Sequence, residues 1–151
     1  MNSDYYYMQL ALIEAKSAYL INEVPVGVVV TDSKNAIVCK THNVREKNHS
    51  IFGHAELDAI DFISKKNKSW RLCDYTFYVT LEPCIMCMSA LISARIKRLV
   101  FGAYDNKGGA ISLGYNFSKD QRLNHSFPIT GGLLEEDCGN LLRDFFKSKR
   151  K

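Results

Sequence analysis

Past residue 55 the sequence alternates between helix-like and strand-like segments, and that alternation restricts the chain to a small set of folds. Glu56 to Lys66 reads as a helix and Tyr75 to Leu81 as a strand. Pro83 then suits the first turn of a helix running to Ala94, and Lys97 to Gly102 reads as the next strand. Ahead of this block, apolar residues recur at helical spacing from Tyr6 to Leu20 (Tyr7, Leu10, Ala11, Ala15, Ala18, Tyr19). Val24 to Thr31 is rich in β-branched residues and predicts a buried strand. Asp32-Ser33-Lys34-Asn35 is turn chemistry, which makes Ala36 to Lys40 the return strand of a hairpin. The stretch from His42 to Gly53 is polar and irregular, hence a loop. Ala103 to Ser126 is broken by glycine, proline and asparagine and reads as loop with room for a helical turn. Phe127 to Thr130 is a short last strand, and the stripe Leu134, Cys138, Leu141, Leu142, Phe145 marks a final helix before a basic tail. A hairpin pairs antiparallel, whereas strands joined through a helix pair parallel. The expectation is therefore an α/β fold with a mixed five-stranded sheet and helices on both faces.

One domain is expected of 151 residues, and a chain of that size buries enough surface for a core of its own. With 46% hydrophobic and 24% charged residues it is neither disordered nor collagen-like nor a heptad rod. No apolar run reaches the roughly 20 residues that span a bilayer. The start, Met1-Asn2-Ser3-Asp4-Tyr5, lacks the basic and apolar regions of a secretion signal, so a cytoplasmic location is expected. The net charge of +4 is compatible with a nucleic-acid partner without requiring one. Five cysteines, an odd number with one close pair, favour metal or catalytic use of that pair over a disulfide framework. Cys39, Cys73 and Cys138 lie in apolar contexts and read as core thiols.

Two short segments carry the chemistry. His54-Ala55-Glu56 and Pro83-Cys84-Ile85-Met86-Cys87 each open a predicted helix. On a helix Cys84 and Cys87 share a face, and the dipole at a helix N-terminus favours the thiolate, the form that binds metal. With His54 as a third donor, two sulfurs and an imidazole suit zinc. A structural zinc site closes with four protein ligands, whereas three leave the open position of a catalytic one. His42, His49, Cys73 and His125 are the candidates for a fourth ligand, and none sits at a close ligand-pair spacing. A thioredoxin-like redox pair is the other reading of Cys84 and Cys87. In an open site zinc lowers the pKa of a water from 15.7 to about 7. Glu56, two residues past His54, is the group to move protons off that water, onto a ring nitrogen and onto a leaving amine. His-x-Glu followed by Pro-Cys-x-x-Cys is the signature of zinc-dependent nucleobase deaminases.

Over nearly its whole length the chain resembles the bacterial tRNA-specific adenosine deaminases, within the cytidine and deoxycytidylate deaminase superfamily. The stretches that carry the resemblance are Glu23-Val24-Pro25-Val26-Gly27, His42-Asn43, His54-Ala55-Glu56 and Tyr78 to Cys87. They continue with Val100-Phe101-Gly102-Ala103, Asp105, Lys107, Asn124-His125 and Asp144-Phe145-Phe146-Lys147. The resemblance implies a cytidine deaminase-like three-layer α/β/α sandwich, acting as a homodimer with one zinc ion per subunit. It implies conversion of adenosine to inosine at the wobble position of a tRNA anticodon, usually of an arginine tRNA. His54, Cys84 and Cys87 would hold the zinc and Glu56 would shuttle protons. Asn43 would hydrogen-bond the target nucleotide, and Val24, Pro25 and Val26 would form a wall of the base pocket. Asp105, Asn124, Phe145 and Phe146 would contact the tRNA anticodon loop. The basic tail, Lys147, Lys149, Arg150 and Lys151, could neutralise phosphates. The chain departs from the family at Ser50-Ile51-Phe52-Gly53, where a proline is common, and at Gly108 to Tyr115, where the family's serine falls one position later.

Two other functions remain open at this point. A deaminase of a free base or nucleotide (guanine, cytosine or deoxycytidylate) would use the same zinc site. A zinc-stabilised RNA-binding subunit without catalysis would be expected to lack Glu56, which is present.

Overall fold

The computed structural model describes residues 3–150; Met1, Asn2 and the tail residue Lys151 lie outside them. Five strands, β1 (Gly27–Thr31), β2 (Ile37–His42), β3 (Thr76–Leu81), β4 (Arg98–Ala103) and β5 (Ile129–Thr130), form one sheet in the order β2-β1-β3-β4-β5. The three strands β2, β1 and β3 pair antiparallel; β3, β4 and β5 pair parallel. The mixed sheet follows from the connections, a short turn between β1 and β2 and a helix between β3 and β4. Four helices cover it: α1 (Ser3–Leu20), α2 (Ala55–Asn67), α3 (Ile85–Ser93) and α4 (Glu135–Lys149).

Strand periodicity divides the core in two. Val28, Val30, Phe77, Val79, Leu99 and Phe101 face Ala59 and Ile63 of α2 and Met88 and Leu91 of α3. The intervening Val29, Tyr78 and Val100 face Tyr7, Met8 and Ala11 of α1 and Cys138 of α4. Alternate side chains thus serve opposite layers, as the pleat requires, and the result is the expected α/β/α sandwich. Helix α1 lies close on β1 because its buried stripe is small (Ala11, Ala15, Ala18) and because residue 27 is glycine. A Cβ at Gly27 would run into the main chain of Ala11 and Ala15. At the start of the parallel strands Asp4 takes both ends of the Arg98 guanidinium at 2.9 and 2.8 Å and the Tyr78 hydroxyl at 2.8 Å. That bidentate pair holds the Asp4 carboxyl below its usual range.

The structure corrects several boundaries. The strand expected from Val24 begins only at Gly27, because Pro25 has no N–H for a ladder and the chain turns around it, Val26 N–H donating to the Val24 carbonyl at 2.8 Å. Helix α3 begins at Ile85, with Pro83 and Cys84 ahead of it. The helical turn expected between 103 and 126 is a 3₁₀ turn at Phe117–Lys119. Cys73 is exposed rather than in the core; the neighbouring Leu72 takes the buried place, while Cys39 and Cys138 are buried as expected. No helix among the described residues is long and apolar enough to cross a membrane.

Candidate active site

The carboxyl ends of the parallel strands β3 and β4, and the N-termini of α2 and α3, meet at one end of the sandwich, the usual location of a site in an α/β sheet. His54 is the N-cap of α2 and Cys84 the N-cap of α3, both with extended backbone and neither making a side-chain cap bond. Caps normally take Ser, Thr, Asp or Asn, whose side chains turn back onto the helix. Here the two cap side chains are left to face each other. His54 Nδ1 lies 3.8 Å from Cys84 Sγ and 3.4 Å from Cys87 Sγ, and the three donor atoms all lie within 4.8 Å of one another.

This donor set fits zinc. Zn–S bonds near 2.3 Å and Zn–N bonds near 2.0–2.1 Å in a tetrahedron separate ligand atoms by about 3.5–3.8 Å, close to the spacing seen. Among the described residues no fourth His, Cys, Asp or Glu joins the group. The candidates are otherwise engaged or remote: His42 Nδ1 pairs with Glu14 at 3.1 Å, His125 Nε2 donates to the Ile96 carbonyl at 2.8 Å, and His49 and Cys73 are exposed. The group is therefore the open, three-donor kind. Hydrogen bonding from the Cys87 thiol, and then from His54, brings Cys84 down to about 4 against the opposing effect of burial. The same contact with Cys84, with burial, pushes Cys87 up, and the Cys84 contact raises His54. One thiolate is thus ready beside the imidazole, a state suited to a metal.

Glu56, in the first turn of α2, is 4% exposed, and burial raises its carboxyl above the ordinary range. Asn43 is also buried. Its N–H donates to the Val26 carbonyl at 3.0 Å and its Nδ2 to the Val24 carbonyl at 3.4 Å, so Asn43 and the Val24–Val26 turn form one wall. Val24, Val26 and Ala55 share a core cluster, which sets that wall against the start of α2. Asn43 Oδ1 is buried with no hydrogen-bond partner among the described residues. A buried amide oxygen left so costs about 1–3 kcal/mol, a cost that a hydrogen-bond donor brought to it would relieve.

The remaining sites expected from the sequence are more dispersed. Asp105 Oδ1 accepts the N–H groups of Lys107 and Gly108, each at 3.1 Å, so this carboxylate braces its own loop. Asn124 is exposed. Phe145 is buried, its ring 5.5 Å from that of Tyr19, whereas Phe146 is exposed. The end of α4 reaches the wall through Lys149, which donates to Asn22 just ahead of Val24. In the segment 50–53 Phe52 and Ile51 point outward, and the turn closes on itself through Phe52 N–H to Ser50 Oγ and Gly53 N–H to the Ser50 carbonyl, each at 3.1 Å.

Sequence reasoning missed two carboxylates. Glu23, 1% exposed, accepts the N–H groups of Glu46 at 3.0 Å and Lys47 at 2.7 Å and so holds the loop after Asn43. Glu82, 2% exposed, does the same for residues 105–112 beside Cys84. The signal available was a glutamate next to a Val-Pro or Pro-Cys step at the edge of an apolar run, where a charge is out of place.

Residues 1–103 match the cytidine and deoxycytidylate deaminase zinc-binding region family. A tRNA-specific adenosine deaminase of Bacillus subtilis is 42% identical over 151 residues, covering 100% of this chain and 93% of that protein. A solved structure from work on A-to-I editing by tRNA:A34 deaminases at the wobble position of transfer RNA superposes with a TM-score of 0.86 at 36% identity. It covers 91% of this chain and 99% of that one. A guanine deaminase from Nitrosomonas europaea shares the fold, with a TM-score of 0.79 over 93% of this chain and 83% of its own, at only 19% identity. The two half-motifs that meet at His54, Cys84 and Cys87, and the similarity that runs from end to end, give one conclusion: the chain belongs to the tRNA-specific adenosine deaminases of the cytidine and deoxycytidylate deaminase family.

Proposed function

We propose that this protein hydrolyses adenosine to inosine at the wobble position of a tRNA anticodon, in an arginine tRNA, using one zinc ion per subunit. The observation that carries the reading is the open three-donor group of His54, Cys84 and Cys87 with the buried Glu56 on the same helix turn. Zinc bound by those three side chains supplies Lewis acidity that brings the pKa of a water from 15.7 to about 7. Glu56 would take one proton from the attacking water and give it to a ring nitrogen of the base, then take the second from the hydroxyl newly added to the ring carbon and give it to the amino group, which leaves as ammonia. Asn43 Oδ1 accepts a hydrogen bond from the target nucleotide, which relieves its unpaired burial. Val24, Pro25 and Val26 form a wall of the base pocket, set against the start of α2. Phe146 offers an exposed ring for stacking on an anticodon-loop base, backed by the buried Phe145. Asp105 and Asn124 border the same loop, and the enzyme works as a homodimer in the cytoplasm, with tRNA.

The test is inosine formation on an arginine anticodon stem-loop carrying adenosine at the wobble position, with free adenosine, guanine and cytosine in parallel. Conversion confined to the stem-loop is expected. Conversion of a free base with the stem-loop untouched would overturn the substrate while leaving the metal ligands and Glu56 in place.

A further inference from the structure

Glu82 is a buried carboxylate with no part in the proton transfers above, and it stands two residues from a metal-binding thiol. Three hydrogen bonds converge on it: Asp105 N–H to Oε1 at 3.0 Å, Ser112 N–H to Oε2 at 2.8 Å, and the Ser112 hydroxyl to Oε1 at 2.5 Å. Gly109 lies so close to the carboxyl group that a Cβ would collide with it. Residues 105–112 are thereby wrapped around one side chain, whose own N–H is fixed to the Ala103 carbonyl at 2.8 Å. The wrapped loop in turn grips the metal-binding segment. Ala110 N–H donates to the Pro83 carbonyl at 3.0 Å, and Gly109 forms an antiparallel bridge with Cys84. The Pro83–Cys84 peptide is thus held from outside helix α3, at the point where no cap bond holds it from within.

We propose that Glu82 is a positioning residue for the metal site: through Ser112 and the main chain of 105–112 it fixes the Pro83–Cys84 peptide and with it the direction of Cys84 Sγ. This rests on the zinc reading of His54, Cys84 and Cys87. Groups that orient metal ligands without touching the metal commonly change metal affinity by 10–100-fold when lost. Glu82→Gln presents an NH₂ group to donors that need an acceptor, so one end of the loop is released. Ser112→Ala removes only the hydroxyl bond and leaves both main-chain bonds.

The experiment measures the rate at which the purified zinc-loaded protein gives up zinc to a competing chelator, with melting temperature recorded for each variant. Asp4→Asn is the control, since it loosens the Arg98 pair at the far end of β4 and leaves the 105–112 loop alone. Zinc release about 10-fold faster in Glu82→Gln, about 3-fold faster in Ser112→Ala and native in Asp4→Asn is the expected result. Native release in both Glu82→Gln and Ser112→Ala overturns the proposal, as does equal acceleration in Asp4→Asn. Should Glu82→Gln fail to fold, native release in Ser112→Ala alone overturns it. A wild-type protein that takes up no zinc overturns the metal reading itself, a result distinct from zinc bound normally and released at an unchanged rate.

Discussion

His54 and Cys84 occupy positions that a helix ordinarily gives to a capping side chain, and neither caps. The two helix starts forgo a contribution of roughly 1 kcal/mol each, and the freed side chains gather with Cys87 into a donor set. Glu56 is the companion of that set, held in the first turn of α2 so that its carboxyl faces the same space. Glu56→Gln keeps the volume and the helix, so zinc content is expected to stay native while kcat on the stem-loop falls by at least about 100-fold. Metal analysis beside steady-state kinetics checks both halves, and near-native turnover would remove Glu56 from the mechanism. These four residues were legible in the sequence because their spacing is local and their chemistry unusual. Glu23 and Glu82 were not, because their partners are the N–H groups of residues more than twenty positions away, and a main-chain donor carries no sequence signature.

At the scale of elements, the periodic segments were readable and their ends were not. All four helices and five strands stand where apolar spacing predicts them, yet β1 starts three residues late and α3 two residues late, each time just past a proline. Proline was read as part of an element when its missing N–H makes it a bend before one. The sequence showed the alanine stripe of α1 but not that Gly27 is its counterpart, since close approach of helix and strand is a three-dimensional fact. Gly27→Ala would place a methyl group into the main chain of Ala11 and Ala15. A loss of about 1–3 kcal/mol of stability is expected from such overpacking, measured by denaturant unfolding; an unchanged midpoint would mean α1 lies further from β1 than described.

For the whole molecule, the donor group, the Asn43 wall and the 105–112 loop all gather at one end of the sheet, and the Asp4–Arg98 pair secures the other. A net charge of +4 on a chain that handles RNA gives a measurable signature. Binding of the stem-loop is expected to weaken with salt, log K falling against log salt by about 0.7 for each phosphate neutralised on a single strand. Turnover on a free base would show no such slope, so a flat response with the stem-loop would count against the anticodon as substrate. The sheet and its two covering layers followed from hydrophobic alternation, whereas the loops around the donor group have shapes that no periodicity encodes.

The loops on either side of the pocket are anchored by Glu23 and Glu82, and both anchors grip main-chain amides. Every residue except proline supplies an amide, so positions 46 and 47 are held to Glu23 whatever their side chains, whereas Asp105 and Ser112 add side-chain bonds of their own to the second loop. The two loops therefore differ in how far the frame depends on their own side chains. The loop at 46–47 can change its side chains without moving the thiolates or the carboxylate beneath them, whereas the 105–112 loop, with the Ser112 hydroxyl on Glu82 and Gly109 against it, cannot.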